Sequence, residues 1–149
     1  MFVTILAAVE NYEKSDYSGQ TGFTDVPENA WFAAPVKWAS ENGIVTGRGE
    51  NIFDPNGKVT RQEMTLMLYK YAESKGIDVS NEEDLAKNPD RDSVDEWAKA
   101  AVCWAISTKV MIGSVRGMIN PKDYAERCDV AVVIRSFVVR VLEKPAEAD

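Results

Sequence analysis

The chain has 149 residues, 17 Lys plus Arg against 24 Asp plus Glu for a formal charge of −7, and no histidine. A length of this order with 45% hydrophobic residues describes one or two small soluble domains with a real core and excludes a disordered tail. The acidic balance, with no local basic patch, argues against sequence-independent nucleic-acid binding. The missing imidazole removes Ser-His-Asp and Cys-His catalysis, His-based metal sites and an imidazole pH switch.

In chain order, Met1 to Val9 is apolar but lacks the basic leader and small-residue cleavage signal of a signal peptide, so it is expected to be a helix. No run approaches the ~20 apolar residues needed to cross a bilayer. Ser15 to Gly22 is a polar connection. A helix is predicted from Trp31 to Asn42, with Pro35 tolerated in its first turn and Gly43 stopping it ahead of Ile44 and Val45. The loop from Thr46 to Val59 must turn tightly at Gly47, Gly49, Pro55 and Gly57, while Ile52 and Phe53 tuck it against the helices. Thr60 and Glu63 form a capping box for the next helix. Gly76 to Lys87 is a second exposed connection, after which Ser93 and Glu96 read as another capping box ahead of Trp97. No alternating strand pattern competes, so the fold class is all-α. Two cysteines, Cys103 and Cys128, are too few for a disulfide scaffold and lack zinc spacing, although one bridge between them stays open. No metal or cofactor is expected.

Self-similarity organises these elements. Trp31, Trp38, Gly47, Pro55 and Arg61 recur 66 positions later as Trp97, Trp104, Gly113, Pro121 and Arg127. The stripe Met64, Met67, Leu68, Tyr71 recurs as Val130, Val133, Ile134, Phe137, and 62 positions earlier as Phe2, Ile5, Leu6, Val9. The chain therefore divides into the tail of one repeat (1–14), a complete second (23–75) and a complete third (88–143). Each helix pair carries an apolar stripe that it cannot cover alone, so neighbouring repeats must pack together.

The residues Phe23-Thr24-Asp25-Val26-Pro27, Trp31, Gly43-Ile44-Val45, Gly47-Arg48-Gly49, Phe53-Asp54-Pro55-Asn56 and Val59-Thr60-Arg61-Gln62-Glu63 closely resemble the S-layer homology module. The resemblance implies three helical modules in a pseudo-threefold unit. It also implies noncovalent anchoring of an exported protein to the bacterial cell wall, typically through a pyruvylated secondary cell-wall polysaccharide, with no membrane insertion. The third repeat departs from the pattern: Asn88 replaces the family's Phe, Val115 stands where Gly49 does, and Ala125-Glu126-Arg127-Cys128-Asp129 replaces the usual cap. The first repeat lacks its first helix, loop and arginine. Either the natural protein extends before Met1 or another chain supplies the missing part, which would make self-association through that repeat a possible partner contact.

The carbohydrate-binding candidates are Arg61, Asp25, Trp31, Gly47, Gly49, Arg127 and Trp97. Arg61 and Arg127 each open a helix, where the macrodipole disfavours a cation by a few tenths to ~1 kcal/mol. Free helix-start amides beside a guanidinium suit a carboxylate such as a pyruvate ketal. The competing reading of Arg61 is an internal salt bridge, to Asp25 or Glu63. Trp31 and Trp97 either stack on sugar or belong to the core, whereas Trp38 and Trp104 read as core. Asp25 either caps a turn or accepts sugar hydroxyls, and the glycines either admit a ligand or only satisfy the backbone. A structural or protein-interaction module without glycan binding is the alternative function. Catalysis is not expected, because no carboxylate pair stands out from the acidic residues.

Overall fold

The apolar stripes fold as helices. In the computed structural model, which describes residues 1–81, 85–113 and 116–143, they are α1 (Phe2–Glu10), α2 (Ala33–Glu41), α3 (Arg61–Ser74), α4 (Lys99–Ser107) and α5 (Arg127–Phe137). Among the described residues there is no strand; Thr60 and Tyr124 make an isolated antiparallel bridge. Val115 and part of the second connection lie outside the described residues. The chain forms two compact units, Met1–Lys58 and Val59–Asp149.

In the first unit α1 packs on α2. The predicted stripe of α1 is rotated: Phe2, Val3, Leu6 and Ala7 are buried while Ile5 is exposed. Nearly every position of α1 is apolar, so periodicity alone cannot choose the inward face. The neighbouring helix settles it, and Ala7 of α1 and Ala39 of α2 are both fully buried. Asn11 ends α1 in the left-handed region, and Tyr12 then sets its ring 6.1 Å from Trp38 and 5.8 Å from Tyr17. The connection read as plain loop therefore contains a 3-10 turn, Lys14–Tyr17, laid against α2. α2 ends as expected: Gly43 takes φ +69° and the Ile44 amide donates to the Ala39 carbonyl at 2.8 Å.

In the second unit α3 packs on α4, with the Tyr69 ring edge-on to Trp104 at 5.8 Å and Phe137 of α5 near both Tyr71 and Trp104. Thr60 and Glu63 form the predicted capping box. The Ser93–Glu96 box does not form. Ser93 lies in a 3-10 turn, Glu96 pairs with Lys99 at 2.7 Å, and a second 3-10 turn, Glu96–Ala98, leads into α4. A tertiary contact replaces the local cap: buried Gln62 accepts from the Asp95 amide at 3.1 Å and donates to the Asp95 carboxylate at 2.7 Å. At α5 the lost Thr cap is replaced by Glu126 and Asp129, the Glu126 amide donating to Asp129 Oδ2 at 3.0 Å. α5 runs on into a π turn, Val138–Leu142. Both cysteines are free thiols.

The boundary between units falls inside the second sequence repeat. α2 covers α1 and α4 covers α3, so the second helix of each repeat packs against the first helix of the next.

Candidate functional site

Arg61 opens α3, but the amides expected to be free around it are engaged. The Arg61 and Gln62 N–H groups donate to the Asp123 and Pro121 carbonyls at 2.9 Å each, and the Glu63 N–H donates to Thr60 Oγ1. The Arg61 side chain is 12% exposed; Nε donates to the Ile119 carbonyl at 3.0 Å and Nη1 to Asp129 Oδ1 at 3.0 Å. An internal ion pair therefore forms, with Asp129 rather than Asp25 or Glu63. It offsets the dipole penalty of a cation at a helix start, since the carboxylate accepts directly from the guanidinium. Nη2 has no partner among the described residues. Arg61 lines a groove of about 410 Å³ whose walls include Met111, Ile112, Tyr124 and Val132. Asp123, Glu126 and Asp129 also line it, so carboxylates there outnumber the guanidinium.

Arg127, the repeat partner of Arg61, is exposed and has no ion pair or hydrogen bond from its side chain among the described residues. One motif position thus yields two environments. The difference is the loop at residues 119–123, which supplies the carbonyls that hold Arg61.

Asp25 lies beneath the loop of the second repeat, accepting from the Phe53 amide at 2.9 Å and the Asp54 amide at 2.7 Å. Burial pushes its carboxyl up, but the backbone donors, Phe53 first, prevail and hold it below the usual carboxylate range. Asp90 does the same in the third repeat, accepting from Ile119 and Asn120 at 2.8 and 2.7 Å. The sequence reading missed Asp90 as a loop staple; its position 65 residues after Asp25 was the signal. Asn88, the departure from Phe, is also explained. Phe23 packs on Phe53 at 5.4 Å, whereas Asn88 is buried and donates to the Gly117 carbonyl at 2.8 Å, so one loop is held by rings and the other by an amide.

Gly47 and Gly49 differ. At Gly47, with φ +79°, a Cβ would sit 2.6 Å from both the Ile52 carbonyl oxygen and the Phe23 ring; at Gly49 it would meet open space. Gly47→Ala is expected to lower stability by about 2 kcal/mol or more, from the left-handed backbone and the clash together, and Gly49→Ala by less. Urea denaturation followed by circular dichroism measures the difference.

Trp38 and Trp104 are core, as expected. Trp31 and Trp97 are not: they are 68% and 51% exposed. The Trp31 and Phe32 rings stand perpendicular to each other, centroids 5.5 Å apart. The exposed indoles therefore recur at one repeat position, Trp31 just before α2 and Trp97 in the turn before α4. No helix among the described residues is long and apolar enough to cross a membrane.

The family model of the S-layer homology domain matches residues 22–65 and 89–131. The surface-layer 125 kDa protein of Lysinibacillus sphaericus is 32% identical over 130 residues, 85% of this chain and 11% of that protein. Exoglucanase XynX of Acetivibrio thermocellus is 29% identical over 135 residues, 89% of this chain and 12% of its own. The cellulosome-anchoring protein of the same species is 26% identical over 142 residues, 92% of this chain and 30% of its own. The chain thus spans less than a third of the length of each of these relatives.

Proposed function

Because the chain belongs to the S-layer homology domain family, we propose that it is a non-catalytic module that anchors a protein to the bacterial cell wall by binding an anionic, pyruvylated secondary cell-wall polysaccharide. The observation that carries the reading is the pair of exposed indoles, Trp31 and Trp97, at one repeat position. Leaving an indole in water forgoes roughly 2 kcal/mol of burial each time, and a flat apolar face with one N–H donor suits a sugar ring. The relatives point the same way: two bear surface-layer and anchoring names, and an exoglucanase shares only the matching region.

In this reading Trp31 and Trp97 stack on sugar. Arg127 meets the ligand carboxylate, being the exposed guanidinium, and Arg61 contributes Nη2 at the groove edge. Asp25 and Gly47 hold the loop in shape, and Gly49 leaves its backbone open. Arg61 is already paired with Asp129 and shares its groove with Asp123, whereas Arg127 is exposed, so the anion is assigned to Arg127. The location is the cell surface.

The test is co-sedimentation with purified cell walls, before and after mild acid removes pyruvate ketals. Trp31→Ala with Trp97→Ala is expected to weaken sedimentation at least tenfold, Arg127→Ala several-fold, and ketal removal to abolish the Arg127 effect. Undiminished binding by the double tryptophan variant would overturn the glycan reading; equal binding to stripped walls would overturn its anionic part.

A further inference from the structure

Two asparagines of the first unit precede a glycine, in Asn42-Gly43 and Asn56-Gly57. In this pairing the next backbone nitrogen reaches the Asn side chain most easily, because glycine puts no Cβ in the way. Both asparagines are exposed, so access to water does not separate them; what holds each one does. Asn42 caps the end of α2. Its side-chain amide donates to the Trp38 carbonyl at 2.8 Å, the Gly43 N–H to the Ser40 carbonyl at 3.1 Å, and the Ile44 N–H to the Ala39 carbonyl at 2.8 Å. Swinging the Gly43 nitrogen onto the Asn42 side chain disturbs all three. Asn56 sits in a turn closed by the Gly57 N–H, which donates to the Asp54 carbonyl at 3.0 Å. Its own side chain makes no hydrogen bond among the described residues, so that single bond is what restrains it.

The glycine after Asn56 has a structural reason to be there. A Cβ on Gly57 would run into Asp54 Oδ2, the carboxylate oxygen that pairs with Arg48 Nε at 3.4 Å. The loop keeps its glycine for that packing and thereby leaves Asn56 open to attack. We propose that Asn56 is a site of spontaneous deamidation, through a succinimide closed by Gly57, while the helix stop protects Asn42. The Gly57 nitrogen loses its proton to solvent base and bonds to Asn56 Cγ; the Cγ–Nδ2 bond breaks, and ammonia leaves with a proton returned by the solvent. Water then opens the ring. Attack at Cγ leaves an ordinary aspartate, whereas attack at the Asn56 backbone carbonyl carbon breaks the original peptide bond and routes the chain through Cγ as isoaspartate, one backbone atom longer. The third repeat has no equivalent: Lys122-Asp123 stand 66 positions on, and Asn88 and Asn120 precede prolines, whose nitrogen carries no proton to lose. Either product adds a negative charge next to Asp54, on the loop that Asp25 staples through the Phe53 and Asp54 amides.

Peptide mapping of the full chain, held native at mildly alkaline pH and sampled over weeks, tests this. Trypsin cuts after Lys37, Arg48 and Lys58 and so separates Asn42, in residues 38–48, from Asn56, in residues 49–58. Asn56 is expected to convert at least about tenfold faster than Asn42, the rate equivalent of the side-chain hydrogen bond that Asn42 must give up. Isoaspartate, located by electron-transfer fragmentation, is expected among the products, and the rate is expected to rise with pH because the attacking nitrogen must be deprotonated. In guanidinium chloride, where the helix stop is gone, the two sites should convert within a few-fold of each other. An Asn56 that stays intact overturns the proposal, as does an Asn42 that converts at a comparable rate in the native chain. Aspartate as the sole product overturns the ring step, since a succinimide opens both ways. A gap between the two sites that persists in the unfolded chain overturns the protection assigned to the end of α2.

Discussion

Arg61→Ala is expected to lower the unfolding free energy of the second unit by about 3 kcal/mol, while Arg127→Ala at the same motif position changes it by no more than about 0.5 kcal/mol. Truncating Arg61 leaves Asp129 Oδ1 and the Ile119 carbonyl without their donors in a site where the arginine is 12% exposed. Breaking a buried pair by removing one partner costs about 3–5 kcal/mol, and the 32% exposure of the Asp129 side chain puts this case at the low end. Arg127 is exposed and holds nothing among the described residues. Urea titrations monitored by tryptophan fluorescence and far-UV circular dichroism compare the two. A small effect at Arg61 would show that the ion pair and carbonyl contact contribute little. Wall binding is consequently informative in Arg127→Ala, whereas in Arg61→Ala it would mix lost contact with lost structure.

The same pair of arginines shows where sequence reasoning stops. The 66-residue offset, the helix stripes and the Thr60–Glu63 cap were legible because each is a local pattern with one physical solution. The inward face of α1 was not, since an almost wholly apolar helix leaves the choice to its neighbour, here α2. Ser93 and Glu96 have the spacing of a capping box, yet the Ser93 amide donates to the Asp90 carbonyl and the turn into α4 starts after Asp95, which Gln62, more than thirty residues away, holds. Arg61 and Arg127 share a motif but not an environment, because the loop at 119–123 covers only the first. The tryptophans divided in the opposite sense. A seven-residue spacing within a helix would set Trp31 on the same face as buried Trp38, but Trp31 precedes the first residue of α2, where the helical period no longer governs direction.

Asp25→Asn and Asp90→Asn are expected to cost about 2 kcal/mol each, in the first and second units respectively. Each carboxylate accepts two backbone N–H groups with its two oxygens; an Asn can serve one and turns its own NH₂ toward the other, leaving a half-buried donor unsatisfied. The cost should be similar at both sites, because the staple is the same although the rest of each loop is held differently, by the Phe23–Phe53 rings in one and by Asn88 in the other. For Asp25 the pH dependence adds a second readout. Its folded carboxyl titrates below the unfolded value of about 3.9, so its contribution is complete above that value and is lost as pH falls through the folded one. The stability gap between the native chain and Asp25→Asn should therefore be constant from neutral pH down to about 5 and shrink below about 4. A gap that stays constant to pH 2 would mean that the protonated acid serves both amides as well as the carboxylate does, and that loop shape, not charge, fixes this residue.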